Sequence, residues 1–149
     1  MPLFEQIDRD LVTARKERDG TRLSTLGLLK TEVVKAAKEP GSAGADDELV
    51  LRVLRKEVKR REEAARVYET AGRTESARRE EAEAAVLRQY LPADLSEAEL
   101  EREVRAAIDE VEPQGPRDFG AVMKAANARL AGRAEGGRVA AIARRLLGS

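Results

Sequence analysis

The chain of 149 residues contains no cysteine and no histidine, and only four of its residues are aromatic. Without cysteine there are no disulfides, no thiolate metal ligands and no thiol chemistry. Without histidine there are no imidazole ligands, and catalytic triads that use histidine as the general base are excluded. The scarcity of rings argues against RNA-binding folds that stack bases on exposed aromatic side chains. We therefore expect no metal and no cofactor.

Long apolar runs are also missing. No stretch approaches the roughly 20 apolar residues that a membrane-spanning helix needs. The amino-terminal segment MPLFEQIDRDL carries charges where a signal peptide would be apolar. These features predict a soluble, cytoplasmic protein with no membrane partner.

Aliphatic and charged residues dominate what remains, with 42% hydrophobic and 38% charged residues. Alanine, leucine and valine recur at helical spacing among arginine and glutamate, which predicts an all-α fold. Seven helices are expected, at about residues 3–18, 22–39, 49–71, 74–90, 96–112, 118–130 and 138–147.

The segment YLPADLSEAEL, from Tyr90, is the clearest break in the helical pattern. Pro92 cannot continue a helix, and Ser96 with Glu99 has the spacing of a capping box that opens the next one. The boundary predicts two domains, a four-helix domain over residues 1–92 and a small three-helix domain over residues 93–149.

The net charge of zero conceals a polarity in the carboxy-terminal third. Residues 93–112 contain two arginines and eight carboxylates, whereas residues 117–149 contain seven cations and two carboxylates. The basic stretch is the only part of the chain with an electrostatic case for nucleic acid. Its candidate RNA contacts are Lys124, Arg129, Arg133, Arg138, Arg144 and Arg145.

The turn GRAEGG, from Gly132, is not a phosphate loop, because it lacks the required order of residues and no strand precedes it. Arg133 and Arg138 nevertheless flank a predicted helix N-terminus, whose free N–H groups form a general anion site. The alternative is that Gly132 and Gly136 only make the turn and the arginines are solvated, in a chain with 21 arginines and seven lysines. The spacing alone favours neither interpretation.

Two other charged segments are predicted to be ordinary helix surface. The run RKEVKRREE, from Arg55, could track phosphates, but its interleaved glutamates favour a solvated face held by local ion pairs. Glu80, Glu81 and Glu83 could in principle hold a cation. No other residues complete a metal shell, so exposed helix surface is the preferred interpretation, and we expect neither metal ligands nor catalytic residues.

Three segments in order resemble the GatB/YqeY family, and within it the stand-alone YqeY-like proteins. They are LRKEVKRREEAARVYETAGRTE, EAEAAVLRQYLPADLSEAELE and DFGAVMKAANARLAGRAEGGRVAAIARRLL. The resemblance covers essentially the whole chain. It departs from the family pattern at Gly27, where an arginine is usual, and at Gly137, where a basic residue is common and Arg138 is the nearest substitute.

The resemblance implies a two-domain helical protein related to the carboxy-terminal region of the B subunit of the tRNA-dependent amidotransferase. In that enzyme the tail helps to recognise tRNA, while the chemistry resides in other domains. The tail motif falls here on Gly120, Val122, Met123, Lys124, Gly132, Arg133 and Ala134. Val122 and Met123 are expected in the core, which leaves Lys124 and Arg133 as the implied contacts.

Three functions follow as hypotheses. The first is a non-catalytic accessory protein that binds structured RNA, specifically tRNA, through shape and backbone contacts. The second is a protein–protein adaptor, with a partner in the translation machinery and no RNA role. The third and least favoured is a carbon–nitrogen ligase that uses glutamine as the amido donor, because the chain lacks the ATP-binding, ammonia-channel and amidase parts that this reaction requires.

Overall fold

The protein is all helical, as its composition and periodicity predict. A computed structural model describes residues 1–148 as seven α-helices and one short 3₁₀ helix, and contains no β-strand within that range. Ser149, the last residue of the predicted C-terminal domain, lies outside the described residues. The helices are α1 (Leu3–Lys16), α2 (Gly20–Ala37), α3 (Asp47–Thr70), α4 (Thr74–Arg88), α5 (Glu97–Val111), the 3₁₀ helix (Pro116–Asp118), α6 (Phe119–Leu130) and α7 (Gly136–Leu147).

Short polar side chains determine where three of these helices begin. Each accepts a hydrogen bond from a first-turn N–H that has no partner inside the helix. The bonds join Asp19 to the Arg22 N–H (3.1 Å), Asp46 to the Leu49 N–H (2.9 Å) and Ser96 to the Glu99 N–H (3.1 Å). Capping by Asp19 explains why α2 begins at Gly20 and not at the predicted Arg22.

Contacts between residues divide the chain into two compact units, Met1–Leu91 and the residues from Pro92 onwards. Their interpretation as independent domains remains a prediction.

The first unit contains α1 to α4. Helices α3 and α4 pack along each other, and α2 contacts α1, α3 and α4. The fully buried side chains come from all four helices and include Ile7, Leu26, Leu29, Val33, Val50, Leu54 and Leu87. Tyr90, just after α4, is also buried, and its hydroxyl donates a hydrogen bond to the carboxylate of Asp10 on α1.

The second unit contains α5, the 3₁₀ helix, α6 and α7, and its three α-helices contact one another pairwise. Its core is built from aliphatic side chains with no exposed surface or nearly none, namely Leu100, Val104, Val122, Ala126, Leu130, Val139 and Ile142. The expectation that Val122 lies in the core is confirmed, and Met123 packs half-buried against the same cluster. This small core positions α6 and α7 with their polar residues outward.

Among residues 1–148, no helix is both long enough and apolar enough to cross a membrane.

Candidate nucleic-acid interface

The six candidate RNA contacts lie on α6, on α7 and in the turn that joins them. Neither helix contains a carboxylate, and Glu135 is the only acidic residue from Phe119 to Leu147. The unit as a whole is not basic, because residues 92–149 contain nine cations and ten carboxylates. The excess of positive charge therefore belongs to α6, α7 and their turn, opposite an acidic α5.

Three of the six candidates are ion-paired with α5, a feature that sequence reasoning missed. The pairs are Arg129 with Glu103 (3.1 Å), Arg138 with Glu97 (2.9 Å) and Arg145 with Glu101 (3.1 Å). Arg138 also donates a hydrogen bond to the Leu95 carbonyl (3.1 Å). These arginines hold α5 against α6 and α7. The spacing of Glu97 and Glu101, one turn apart on the same helix, indicates an acidic face on α5 but not which cations this face meets.

The paired arginines keep part of their polar surface free. The side chains of Arg129 and Arg145 are 41% and 59% exposed. A guanidinium has five N–H donors, and each of these pairs uses only part of that set. An RNA contact by these two side chains remains a prediction, compatible with the geometry but weakened by the neighbouring carboxylates.

Glu101 lies between two arginines, since Arg105 (3.2 Å) and Arg145 (3.1 Å) both contact its Oε1. Desolvation acts to raise the pKa of this carboxyl, but the hydrogen bonds and charges of Arg145 and Arg105 outweigh it and lower the pKa. The carboxylate is therefore ionised throughout the neutral range and continues to neutralise Arg145.

Arg133, one of the two contacts implied by the resemblance, caps α6. Its Nε donates to the Leu130 carbonyl (3.0 Å) and its Nη2 to the Arg129 carbonyl (3.2 Å). A cation at this position satisfies carbonyls that have no partner in the helix and complements the negative end of the helix dipole. Replacing Arg133 would therefore change the end of α6 as well as any contact with a ligand.

Arg144 on α7 stacks on the ring of Phe119, with its guanidinium carbon 4.7 Å from the ring centroid. Phe119 itself is half-buried at the start of α6. The contact is a cation–π interaction that fixes the guanidinium close to the N-terminal turn of α6.

Lys124 is exposed on α6 and has no hydrogen bond or ion pair within the described part of the chain. The neighbouring positions on its face, Gly120 and Ala121 one turn earlier and Asn127 and Ala128 one turn later, are exposed too. A Cβ added at Gly120 would meet no atom within 4 Å. The outer face of α6 is thus smooth and carries Lys124 as an unneutralised cation.

The conformation of the turn between α6 and α7 accounts for a glycine at position 132 but does not support the predicted anion site. Gly132 has φ of 82°, which suits glycine, whereas Ala131 before it adopts φ of 47° despite its side chain. The carboxylate of Glu135 lies at the start of α7, 3.4 Å from where a Cβ of Gly137 would be. A negative charge of the chain itself therefore stands at this N-terminus, which argues against an anion there. Gly136 begins α7 and Ala134 is half-buried against the unit's core.

A buried ion-pair network in the first unit was also missed from the sequence. Glu57 and Arg61 on α3 are only 4% and 7% exposed. Arg61 contacts Glu57 and the α4 residue Glu83, both at 3.3 Å. The expectation that Glu83 is exposed helix surface is wrong, because its side chain is turned toward Arg61. Burial and the charge of Glu83 also raise the pKa of its neighbour Glu80.

The second unit also has an open groove of about 600 Å³ where α5 and α7 end. Its apolar surface comes from Ile108, Leu146 and Leu147, and its rim carries Asp109 and Glu112. No group of three or more carboxylates among residues 1–148 is arranged to hold a metal ion.

Comparison with known proteins relates the chain to a protein family and to a curated protein. The family model described as Yqey-like protein matches residues 4–147. An uncharacterised protein of the fission yeast Schizosaccharomyces pombe is 35% identical over 86 residues, which is 58% of this chain and 69% of the relative.

Proposed function

The chain belongs to the YqeY-like protein family, and from this premise we propose that it is a non-catalytic accessory protein that binds structured RNA, specifically tRNA. The protein recognises the shape and the phosphate backbone of the RNA through the exposed cations of α6 and α7. Membership in the family does not itself assign a ligand. The resemblance of this segment to the tRNA-recognising tail of the amidotransferase B subunit suggests tRNA.

The observation that carries the proposal is the charge on α6. This helix has no carboxylate, and Lys124 projects from its exposed face without an ion pair among the described residues. Arg144 on α7 adds a guanidinium fixed on Phe119. The second unit has no other exposed aromatic platform in its described residues, so backbone contacts are favoured over base stacking.

The absence of catalysis is part of the same proposal. The sequence has no histidine or cysteine, and the resemblance is to a tail that lies outside the reaction centres. The ligase hypothesis would need ammonia transfer and phosphoryl chemistry for which no residues of this chain have a proposed role.

The experiment is tRNA binding by Lys124→Glu across a salt series, because Lys124 has no structural bond to lose. Arg102→Glu is the matched control, since Arg102 is an exposed cation on α5 without an ion pair in the described residues. We expect Lys124→Glu to weaken binding about tenfold near 100 mM salt and to reduce the salt slope by about 1, with a much smaller effect in the control. Equal effects in both variants would contradict the proposed site.

The adaptor hypothesis has one observation in its favour, the groove that Ile108, Leu146 and Leu147 line in the second unit. Its acidic rim suits a partner segment with both apolar and basic side chains. If the purified protein shows no salt-dependent affinity for tRNA, this alternative becomes the better account.

A further inference from the structure

The outer face of α3 carries four cations in one row, Arg52, Lys56, Lys59 and Arg66. At about 100° per residue, their positions fall within roughly 40° on either side of one line along the helix. All four side chains are exposed, and none has an ion pair among residues 1–148. We call these four residues the α3 strip.

The sequence suggested that glutamates neutralise this run, and the structure shows that two of them do not face the strip. Glu57 is buried and contacts Arg60 and Arg61, each at 3.3 Å. Glu62 pairs with Arg88 of α4 at 3.2 Å. Both carboxylates therefore serve the packing of α3 on α4, and Glu63 is the single carboxylate left within the row.

Within the described residues, the α3 strip differs from other arginines of the chain in having no ion pair with a neighbouring helix. Arg88, Arg129 and Arg145 each pair with a carboxylate of a neighbouring helix, namely Glu62, Glu103 and Glu101. The strip spans about 21 Å from Arg52 to Arg66 at 1.5 Å per residue, with no such match. A row of four cations of that length, with Glu63 as its one carboxylate, is the electrostatic complement of a linear polyanion.

We propose that the α3 strip is a second RNA-binding surface, in the first unit, which contacts the phosphate backbone of a structured RNA. It shares its class of ligand with the function proposed above and does not depend on the α6–α7 site.

Three features favour RNA over other polyanions. Lysine is depleted at protein–protein interfaces but is a common phosphate contact, which argues against an acidic protein. A membrane-surface helix inserts its apolar face into the lipid, whereas α3 uses its apolar face for the core of the unit. The strip contains no aromatic residue, so it suits the backbone of a folded RNA better than stacked single-stranded bases.

The test compares the full-length protein with the variant Arg52→Gln, Lys56→Gln, Lys59→Gln in binding an unmodified tRNA transcript. Glutamine has nearly the helix propensity of lysine and arginine, so α3 should be retained. The control is Arg9→Gln, Arg15→Gln, Lys38→Gln, which removes the same charge from exposed cations that have no side-chain partner in the described chain. Far-UV circular dichroism and the urea midpoint check that both variants are folded.

We expect the strip variant to lose at least about tenfold in affinity near 100 mM salt and to lower the salt slope by nearly 3, while the control changes little. Glu63→Gln removes the one carboxylate within the row and should therefore bind tRNA more tightly than the unmodified chain. Misfolding cannot explain such a gain of affinity. Equal effects of the strip and control variants, or no change with Glu63→Gln, would overturn the proposal. The proposal would also be overturned if the strip variant lost binding to vesicles of phosphatidylserine and phosphatidylcholine but not to tRNA. It would equally be overturned if the unmodified chain did not bind tRNA.

Running Lys124→Glu in parallel separates the two proposals. Loss in the strip variant alone supports the α3 surface and rejects the α6–α7 site, and loss in Lys124→Glu alone does the reverse. Loss in both supports two surfaces.

Discussion

The guanidinium of Arg129 on α6 lies 3.1 Å from the carboxylate of Glu103 on α5. A cation expected to contact RNA is thus already paired inside its own unit. Because Glu101 and Glu97 pair with Arg145 and Arg138 in the same way, we expect the acidic helix to limit how much of the proposed surface is available to a phosphate. The contribution of a cation on α6 or α7 to RNA binding can therefore be tested by replacing the carboxylate on α5 that pairs with it.

Removing the carboxylate of Glu103 should strengthen RNA binding. Glu103→Gln leaves Arg129 without its partner and takes one negative charge from the edge of the proposed surface, so we expect several-fold tighter tRNA binding at low salt and a smaller gain at high salt. Filter binding at two salt concentrations measures the change. Glu110→Gln is the control, since Glu110 is exposed on the same helix and has no ion pair in the part of the chain described. If both variants gain equally, net charge and not Arg129 is responsible.

Arg61 is predicted to stabilise the first unit strongly. Arg61→Met leaves the buried Glu57 with only the exposed Arg60 and removes the ion-pair partner of Glu83, which should lower the free energy of unfolding by about 3 kcal/mol. Arg60→Met is the matched control, because Arg60 contacts the same carboxylate but has a side chain that is 67% exposed. Because water screens the exposed Arg60, we expect its pair with Glu57 to contribute only about 0–1 kcal/mol.

Urea unfolding followed by circular dichroism compares the two variants. The double variant Glu57→Met, Arg61→Met should recover much of the loss, because the buried carboxylate of Glu57 is removed together with Arg61. Similar losses from Arg60→Met and Arg61→Met would show that burial does not distinguish the two arginines.

Helix positions and caps could be predicted because they depend on residues close in sequence. The apolar seams predicted all seven α-helices, and Ser96 caps the helix that its spacing with Glu99 indicated. The ion pairs could not be predicted in the same way, since Arg129 and Glu103 are 26 residues apart and meet only through the packing of α5 on α6. The burial of Glu57 could not be predicted for the same reason, because the tertiary packing decides which face of α3 contacts α4.

Tyr90 should make stability depend on pH in the alkaline range. Desolvation and the hydrogen bond to Asp10 raise the pKa of its hydroxyl above the ordinary value of about 10. The neutral phenol is thus favoured in the folded state, so its contribution is complete below pH 10 and is lost as the pH rises from there toward the higher folded pKa.

Urea unfolding between pH 8 and pH 11 tests this prediction. The stability advantage of the unmodified chain over Tyr90→Phe should be constant up to about pH 9.5 and should shrink above pH 10, by up to about 1.4 kcal/mol per pH unit. Tyr68→Phe retains Tyr90 and should show the alkaline loss of the unmodified chain. An advantage over Tyr90→Phe that does not change across this range would disprove the linkage.

Gly120 should affect stability and binding in opposite directions. It lies in the first turn of α6 with a helical backbone, and a Cβ there would meet nothing within 4 Å, so Gly120→Ala should stabilise the unit by about 0.5–1 kcal/mol. If a phosphate backbone lies on the smooth face beside Lys124, the added methyl group keeps it away and weakens tRNA binding. Gly27→Ala is the control, because Gly27 is also helical with open space around its Cβ but lies on α2. We expect Gly27→Ala to stabilise without changing affinity, and unchanged affinity in Gly120→Ala would place the RNA away from this end of α6.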